Sequence, residues 1–242
     1  MAELITVLIF AVLPVVGNLI GGSLAESLHP PKWVVGASLH ATAGIAIALV
    51  SIDLMPRILL SSPMWLIILS FLAGAFVSVL LARGGSRTMQ VSEAAGTGPW
   101  MVYMSVAVDL VCDGLMVGAG TAVQNELGLL IAASQSVANI PGGFAAVATF
   151  RHEGMPRLRR LAMAAALFIP VLASAAIGYL MLRGAGVIVQ NSALAFIVGI
   201  LLLATVEDVL PQGDKPEPAR WISTGAFAGG FSVMALLSAY VY

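Results

Sequence analysis

Charged residues are scarce in this sequence. Asp, Glu, Lys and Arg make up only 10% of its 242 residues, whereas a soluble domain has about 25%. Hydrophobic residues make up 60%, and the mean hydropathy is +1.00. A soluble fold cannot cover its surface with this composition, because its exterior must face water. The composition therefore predicts an integral membrane protein surrounded by the lipid bilayer.

Cysteine is almost absent, and the net charge is close to zero. The single Cys112 excludes an intramolecular disulfide and any cysteine-rich metal motif. A net charge of −1 gives no reason to expect a nucleic-acid partner. No basic residue precedes the first apolar run, so the pattern does not predict a cleavable signal peptide.

Most of the sequence consists of long apolar runs. Turn and charge signals divide the chain into runs of about 20 or more residues, the length that crosses a bilayer. We predict an all-α fold with eight transmembrane helices, at roughly 3–25, 32–57, 63–83, 98–124, 127–150, 157–182, 187–211 and 219–242. No connecting segment is long enough for a soluble domain. Residues 1–242 are therefore expected to form one transmembrane domain.

Lysine and arginine are unequally divided between the two faces that these eight helices define. One face holds nine of the eleven basic residues, namely Lys32, Arg83, Arg87, Arg151, Arg157, Arg159, Arg160, Lys215 and Arg220. The other face holds only Arg57 and Arg183. Because basic loops stay in the cytoplasm, we expect both termini to lie outside, with the protein in the plasma (inner) membrane.

A short similarity links the ends of the second and seventh predicted helices. Residues 52–56 read IDLMP and residues 207–211 read EDVLP, each with Asp three residues before Pro. The two helices run in opposite directions in the predicted topology. The similarity therefore predicts an inverted repeat, a plan that recurs in transporters. Asp53 is then expected near the outer surface and Asp208 near the inner one.

Two carboxylates lie near the middle of the fourth predicted helix. Asp109 and Asp113 are four residues apart, which places them on one face, about one turn apart. A charged side chain within a bilayer is unfavourable by roughly 2.5–3.5 kcal/mol, and no Lys or Arg falls in the middle of any predicted helix. A bound cation or a shared proton would relieve their repulsion. The pair therefore predicts a cation-binding or proton-relay site.

The fifth predicted helix adds two amides at the same spacing. Gln135 and Asn139 are four residues apart, and Pro141 follows them. Amide oxygens are suitable ligands for hard cations. Amide side chains also form hydrogen bonds between membrane helices. Both interpretations of these two residues stay open.

These motifs resemble those of the Zrt/Irt-like (ZIP) divalent-metal transporters. The fourth-helix motif of that family reads H-N-x-P-E-G, and residues 109–114 (DLVCDG) stand in its place. The fifth-helix motif, H/Q-N/D-x-P-E-G, is matched by residues 138–143 (ANIPGG). Residues 53–57 (DLMPR) and 208–212 (DVLPQ) resemble the family's H-x-L-P-E segments. The resemblance covers nearly the whole chain in layout, and it implies a ZIP-like bundle, a metal-ion substrate and a homodimer.

Several ligand positions of the family carry other residues here. Asp109 replaces the ligand His, and Asp113 replaces the ligand Glu by a shorter carboxylate. Asn139 keeps the second fifth-helix position, whereas Ala138 and Gly142 have no ligating side chain. The resemblance therefore implies a site built from Asp109, Asp113 and Asn139, with Gln135 beside them.

One bound ion rather than two is expected. Ile169 stands where the family often has a glutamate that bridges a second metal, and the long His-rich loop is missing. Oxygen ligands without His or Cys favour Mn²⁺, Mg²⁺ or Ca²⁺ over Zn²⁺, although zinc also accepts carboxylates. The substrate implied by the resemblance is thus a divalent ion of the class that includes Zn²⁺, Mn²⁺, Fe²⁺ and Mg²⁺.

We therefore interpret the sequence as that of a ZIP-type transporter that moves a divalent cation toward the cytoplasm, and not as an enzyme. The ion would be collected outside, bound midway and received inside. The candidate metal-binding residues are Asp53 at the entrance, Asp109, Asp113, Asn139 and Gln135 at the centre, and Asp208 at the exit.

Two other functions are compatible with parts of the sequence. A ZIP-fold protein that has lost metal transport could carry or bind another solute, since several ligands are replaced. An intramembrane aspartyl protease places one Asp on each of two helices, with a G-x-G-D element. Here the closest two aspartates share one helix and that element is absent.

The predicted orientation can be tested by cysteine labelling in a Cys112→Ser background. A cysteine introduced at Arg159 should react with an impermeant thiol reagent only from the cytoplasm, and one at Tyr242 only from outside, because the basic loops stay inside. External labelling at position 159 would overturn the orientation.

Overall fold

The chain folds entirely into helices over the residues that the computed structural model describes, which are 2–28, 32–94, 98–152, 154–215 and 218–241. The α-helices are α1 (Ala2–Ser27), α2 (Lys32–Ala48), α3 (Met55–Ser61), α4 (Met64–Ala94), α5 (Gly98–Val123), α6 (Asn125–Ala138), α7 (Ile140–His152), α8 (Arg157–Ala166), α9 (Phe168–Leu182), α10 (Val187–Ala204), α11 (Leu210–Asp214) and α12 (Arg220–Val241). Two π-helical turns occur, at Leu49–Leu54 and Thr205–Val209. The predicted all-α class is confirmed.

Five helical stretches in the described part of the chain are long and apolar enough to cross a membrane. They are Glu3–Ser27, Gly36–Leu60, Arg157–Leu182, Val187–Asp214 and Arg220–Tyr240. A shorter apolar helix covers Met64–Leu80. These helices fit the predicted class of integral membrane protein, whereas the count of eight spans and the inverted repeat stay predictions.

Prolines lie where the helices change geometry. Pro56 is the second residue of α3 and Pro211 the second residue of α11, and a π-helical turn precedes each. Proline lacks an N–H and its ring clashes with the carbonyl four residues earlier. The preceding turn therefore widens to the π-helical pattern, which interrupts the helix without ending it.

The predicted fifth helix, 127–150, is two helices in the structure. α6 ends at Ala138 and α7 begins at Ile140, with Asn139 between them and Pro141 as the second residue of α7. A similar interruption at Leu167, three residues before Pro170, separates α8 from α9. Each interruption leaves a turn within a predicted span, and the first of them carries a candidate ligand.

Four helix pairings account for most of the packing. α5 lies along α9, α4 along α10, α2 along α12, and α1 along α6 and α7. Glycines on both partners allow the backbones to approach closely. A Cβ built on Gly118 would lie 2.1 Å from the carbonyl oxygen of Ala175, and one on Gly178 would lie 2.7 Å from that of Leu115. Such contact between small residues replaces the hydrophobic effect, which does not drive helix association within lipid.

The other three pairings use glycine in the same way. For each glycine, the nearest atom to an added Cβ is a carbonyl oxygen of the partner helix, at 1.9 Å for Gly74 and Phe196, 2.2 Å for Gly199 and Phe71, 2.1 Å for Gly44 and Phe227, 2.1 Å for Gly230 and Ala41, 1.7 Å for Gly17 and Ser136, and 1.9 Å for Gly143 and Asn18. None of these positions can accept a side chain unless the helices separate.

A pair of alanine substitutions tests this packing. Gly118→Ala should lower the melting temperature in detergent, because the new methyl group overlaps the α9 backbone, and such overpacking costs about 1–3 kcal/mol. Gly225→Ala in α12 is the matched control, since nothing lies within 4 Å of its Cβ position. The control should keep or gain stability, because alanine favours a helix over glycine by about 1 kcal/mol. Equal melting temperatures for the two variants would contradict the assigned contact.

Candidate metal site

The candidate site is centred on a carboxylate buried inside the fold. Asp113 lies in α5 and is 2% exposed. Its Oδ2 accepts a hydrogen bond of 2.6 Å from the Nδ2 of Asn139, which is 5% exposed. Asn139 occupies the interruption between α6 and α7, where its backbone N–H donates to the carbonyl of Gln135. The proline-induced break therefore places an amide against the α5 carboxylate.

Gln135 lies one turn before Asn139, at the same interface with α5. It is buried, and its Nε2 contacts the sulfur of Met116 at 3.8 Å. Met116 stands three residues after Asp113 on α5. Gln135 is thus close to the candidate site along both helices, but the contact that its amide makes is with a thioether.

Asp109 lies one turn before Asp113, and its side chain is exposed. Among the described residues, a Cβ on Gly142 of α7 would lie 3.9 Å from Val106 of α5, which is an ordinary van der Waals distance. An ionised carboxylate in the middle of a membrane helix is strongly unfavourable against hydrocarbon. We therefore expect this face of α5 to meet water, with Asp113 closed off one turn further along.

Asp53, the candidate entrance residue, is also a buried carboxylate. It lies within the π-helical turn Leu49–Leu54 and is 4% exposed. Its Oδ1 accepts a 2.6 Å hydrogen bond from the hydroxyl of Ser238 in α12, and its Oδ2 has no hydrogen-bond partner among the described residues. The packing of α12 against α2, brought about by Gly44 and Gly230, covers this carboxylate.

Asp208 lies in the second π-helical turn, Thr205–Val209, and its side chain is outside the described part of the structure.

Arg57, one turn after Asp53, donates from its guanidinium to the side-chain carbonyl of Gln124 in the turn between α5 and α6. This contact ties α3 to the end of the helix that carries the candidate site.

Two polar pairs could not be found from the sequence pattern. Ser238 and Asp53 are separated by 185 residues, and no local spacing links them. His40 Nε2 lies 3.2 Å from Asp214, while its Nδ1 lies 2.9 Å from the carbonyl of Gly36. Both ring nitrogens therefore face oxygen acceptors, one on α11 and one on α2 itself. His40 thus holds α11 against α2.

The described residues do not include a preformed cluster of His, Cys, Asp or Glu metal ligands. In this part of the chain, no three His, Cys, Asp or Glu side chains lie close enough to one another to hold a metal ion. A cation near Asp113 would therefore depend on amide, backbone or water oxygens for the rest of its coordination. Hard cations accept such oxygens.

The different environments of Asp109 and Asp113 predict different reactivity of cysteines at these positions. In a Cys112→Ser background, Asp109→Cys should react with an impermeant, water-soluble thiol reagent about tenfold faster than Asp113→Cys, because buried thiols are inert. Glu126→Cys, an exposed position at the start of α6, serves as the positive control. Equal rates at positions 109 and 113 would show that the site is open on both sides of Asp113.

Comparison with known proteins neither supports nor contradicts the resemblance to the ZIP family. The sequence matches no protein-family model, and it matches no curated protein. The function must therefore be argued from the chemistry of the site itself.

Proposed function

We propose that this protein is a ZIP-like membrane carrier for a divalent metal cation, which binds between α5 and the α6–α7 interruption. The observation that carries the proposal is the hydrogen bond from Asn139 to Asp113, deep in a bundle of apolar helices. A buried carboxylate requires a partner that compensates its desolvation. One neutral amide compensates it only in part, and a bound cation would add the opposite charge that the site lacks.

Binding can proceed by exchange of partners at this hydrogen bond. In the cation-free site, the NH₂ group of Asn139 faces Asp113. Rotation of the amide would present its oxygen instead, because the two ends of an amide differ only in donor and acceptor character. Asp113 and Asn139 would then supply two oxygens to one ion. Asp109, one turn away, would supply a second negative charge.

The exposure of the candidate residues supports an inward-open conformation. Asp109 is exposed, whereas Asp53 is covered by α12. In the proposed topology, Asp109 lies on the cytoplasmic side of Asp113 and Asp53 on the outer side. An ion at Asp113 would therefore leave toward the cytoplasm past Asp109. Asp208, near the inner end of the seventh predicted helix, is the proposed exit residue.

The helix pairings support the inverted repeat that alternating access would use. We consider a two-fold relation that exchanges α1 with α8–α9, α2–α3 with α10–α11, α4 with α12, and α5 with α6–α7. Under this relation, the pairing of α5 with α9 corresponds to that of α1 with α6 and α7, and the pairing of α4 with α10 corresponds to that of α2 with α12. It also exchanges the two π-helical turns and their prolines. Transporters with such repeats move one set of helices against the other around a central site.

A second candidate function is favoured by one observation. The described residues contain no cluster of three charged or imidazole ligands, and metal carriers commonly need several. The same bundle could then bind a neutral or cationic organic solute at Asp113 and Asn139. This alternative retains the fold and the buried carboxylate, but it predicts no binding of metal ions.

Titration calorimetry on the purified protein separates the two functions. We expect one divalent ion per chain, with affinity decreasing as the pH falls from neutral to about 5, because protons compete for a pair of neighbouring carboxylates. The reason for a single ion is that two aspartates neutralise only one divalent charge. Mn²⁺ and Mg²⁺ should bind at least as well as Zn²⁺, since every proposed ligand is an oxygen.

Substitutions assign the binding to the site. Asp113→Ala and Asp109→Ala should each abolish the heat of binding, while Glu126→Ala, which removes an exposed carboxylate elsewhere, should leave it unchanged. Two zinc ions per chain with no pH dependence would refute the proposed ligand set. Absence of binding for all the metals would favour the organic-solute alternative.

A further inference from the structure

Two arginines near the start of α8 are already bound by protein groups. Arg160 forms a two-pronged ion pair with Glu26 at the end of α1, with distances of 2.6 Å and 2.8 Å. It also donates to the carbonyl of Met155. Arg151 donates to the carbonyl of Ala25 at 2.9 Å. These contacts neutralise Glu26 and fix the end of α1 against the start of α8.

Two further arginines in the same segment point away from the protein. Arg157 and Arg159 are exposed, and Leu158 between them is 81% exposed. Residues 154–182 contain no Asp or Glu, and Glu153 is the acidic residue nearest to Arg157 in the sequence. The nearby Glu26 is paired with Arg160. The exposed surface of Arg157, Leu158 and Arg159 therefore combines two positive charges with an apolar side chain.

The length of the helix places this surface at the membrane boundary. The candidate span Arg157–Leu182 has 26 residues, which as a helix would measure about 39 Å. The hydrocarbon core of a bilayer is about 30 Å thick. The residues in excess must lie among the headgroups, and charged residues such as arginine are poorly tolerated in hydrocarbon. The end with Arg157 and Arg159 therefore lies at the level of the lipid phosphates.

We propose that Arg157 and Arg159 form a binding surface for the headgroup of an anionic phospholipid. A guanidinium group forms paired hydrogen bonds with phosphate oxygens. Basic residues at a membrane boundary are attracted to anionic lipid. Leu158 would enter the boundary between headgroups and acyl chains, as apolar residues of interfacial helices do. A lipid bound here would rest against the segment that Glu26 and Arg160 hold to α1.

Net charge is the property by which the proposed surface would select one phospholipid over another. Phosphatidylglycerol carries one net negative charge, whereas in phosphatidylcholine the phosphate is balanced by choline. The two positive charges of Arg157 and Arg159 outnumber the single acidic residue of their segment, Glu153, and should therefore prefer phosphatidylglycerol. The preference depends on the two side chains and does not depend on which face of the membrane they occupy.

Native mass spectrometry of the full chain in detergent tests the proposal, with phosphatidylglycerol and phosphatidylcholine as probes. We expect wild type to retain phosphatidylglycerol preferentially. Arg157→Gln/Arg159→Gln should weaken its binding by about tenfold or more, since each arginine contributes about fivefold, or about 1 kcal/mol, at an anionic surface. The matched control, Arg183→Gln/Arg220→Gln, removes two exposed arginines elsewhere and should change the binding less than twofold.

Several outcomes would overturn the proposal. Equal retention of the two lipids by wild type, or equal losses in the two double variants, would show that no specific surface exists. Displacement of phosphatidylglycerol by inorganic phosphate would identify a soluble anion rather than a lipid as the ligand. We also expect Leu158→Ser to weaken the binding of phosphatidylglycerol but to have no effect on the binding of inorganic phosphate, and an unchanged lipid affinity would contradict the role of Leu158.

Discussion

Close contact between helix backbones at glycines is the constraint on which the rest of the structure depends. In lipid, apolar side chains gain little by leaving one apolar environment for another, so helices associate through packing and hydrogen bonds. The four main pairings each bring a carbonyl oxygen of one helix to the place where a Cβ of the other would stand. Their glycines thus determine which helices are neighbours, and therefore which polar side chains can meet.

The polar contacts of the interior follow from these pairings. Asp53 reaches Ser238 because α2 lies along α12, and Asp113 reaches Asn139 because α5 packs against α6. Each contact joins a buried carboxylate to a neutral donor. A buried carboxylate with only neutral partners is costly. Such residues in membrane proteins mark ion or proton pathways, and this is the physical basis of the proposed transport function.

The two carboxylates of α5 differ in their exposure. Asp109 is exposed, while Asp113 is buried one turn away. The interruption at Asn139 lies beside the closed carboxylate. A carrier needs a site that opens to one side at a time, and a helix pair in contact at glycines can shift without rearranging large side chains.

The sequence alone determined the class of protein and the candidate carboxylates, whereas the interruptions at Asn139 and Leu167 appeared only in the structure. Apolar runs of this length fit only a membrane environment, and Asp109 and Asp113 stand out because no basic residue lies in the middle of any run. Pro56, Pro141 and Pro211 are visible in the sequence and cannot donate a backbone hydrogen bond, but the helices that contain them were predicted to be continuous. Composition and residue spacing are local properties of the chain, so they can be recognised without knowledge of the tertiary contacts.

Only the tertiary structure decided which of these residues meet and which are reached by water. Asp53, the candidate entrance residue, is buried because α12 packs over it and brings Ser238, 185 residues away in the chain, into contact with its carboxylate. Asp109 and Asp113 share one helix face by spacing, yet one is exposed and the other closed, because the helix opposite them breaks at Asn139. Burial and contact are properties of helix pairs, and helix pairs are selected by glycine contacts between segments far apart in the chain.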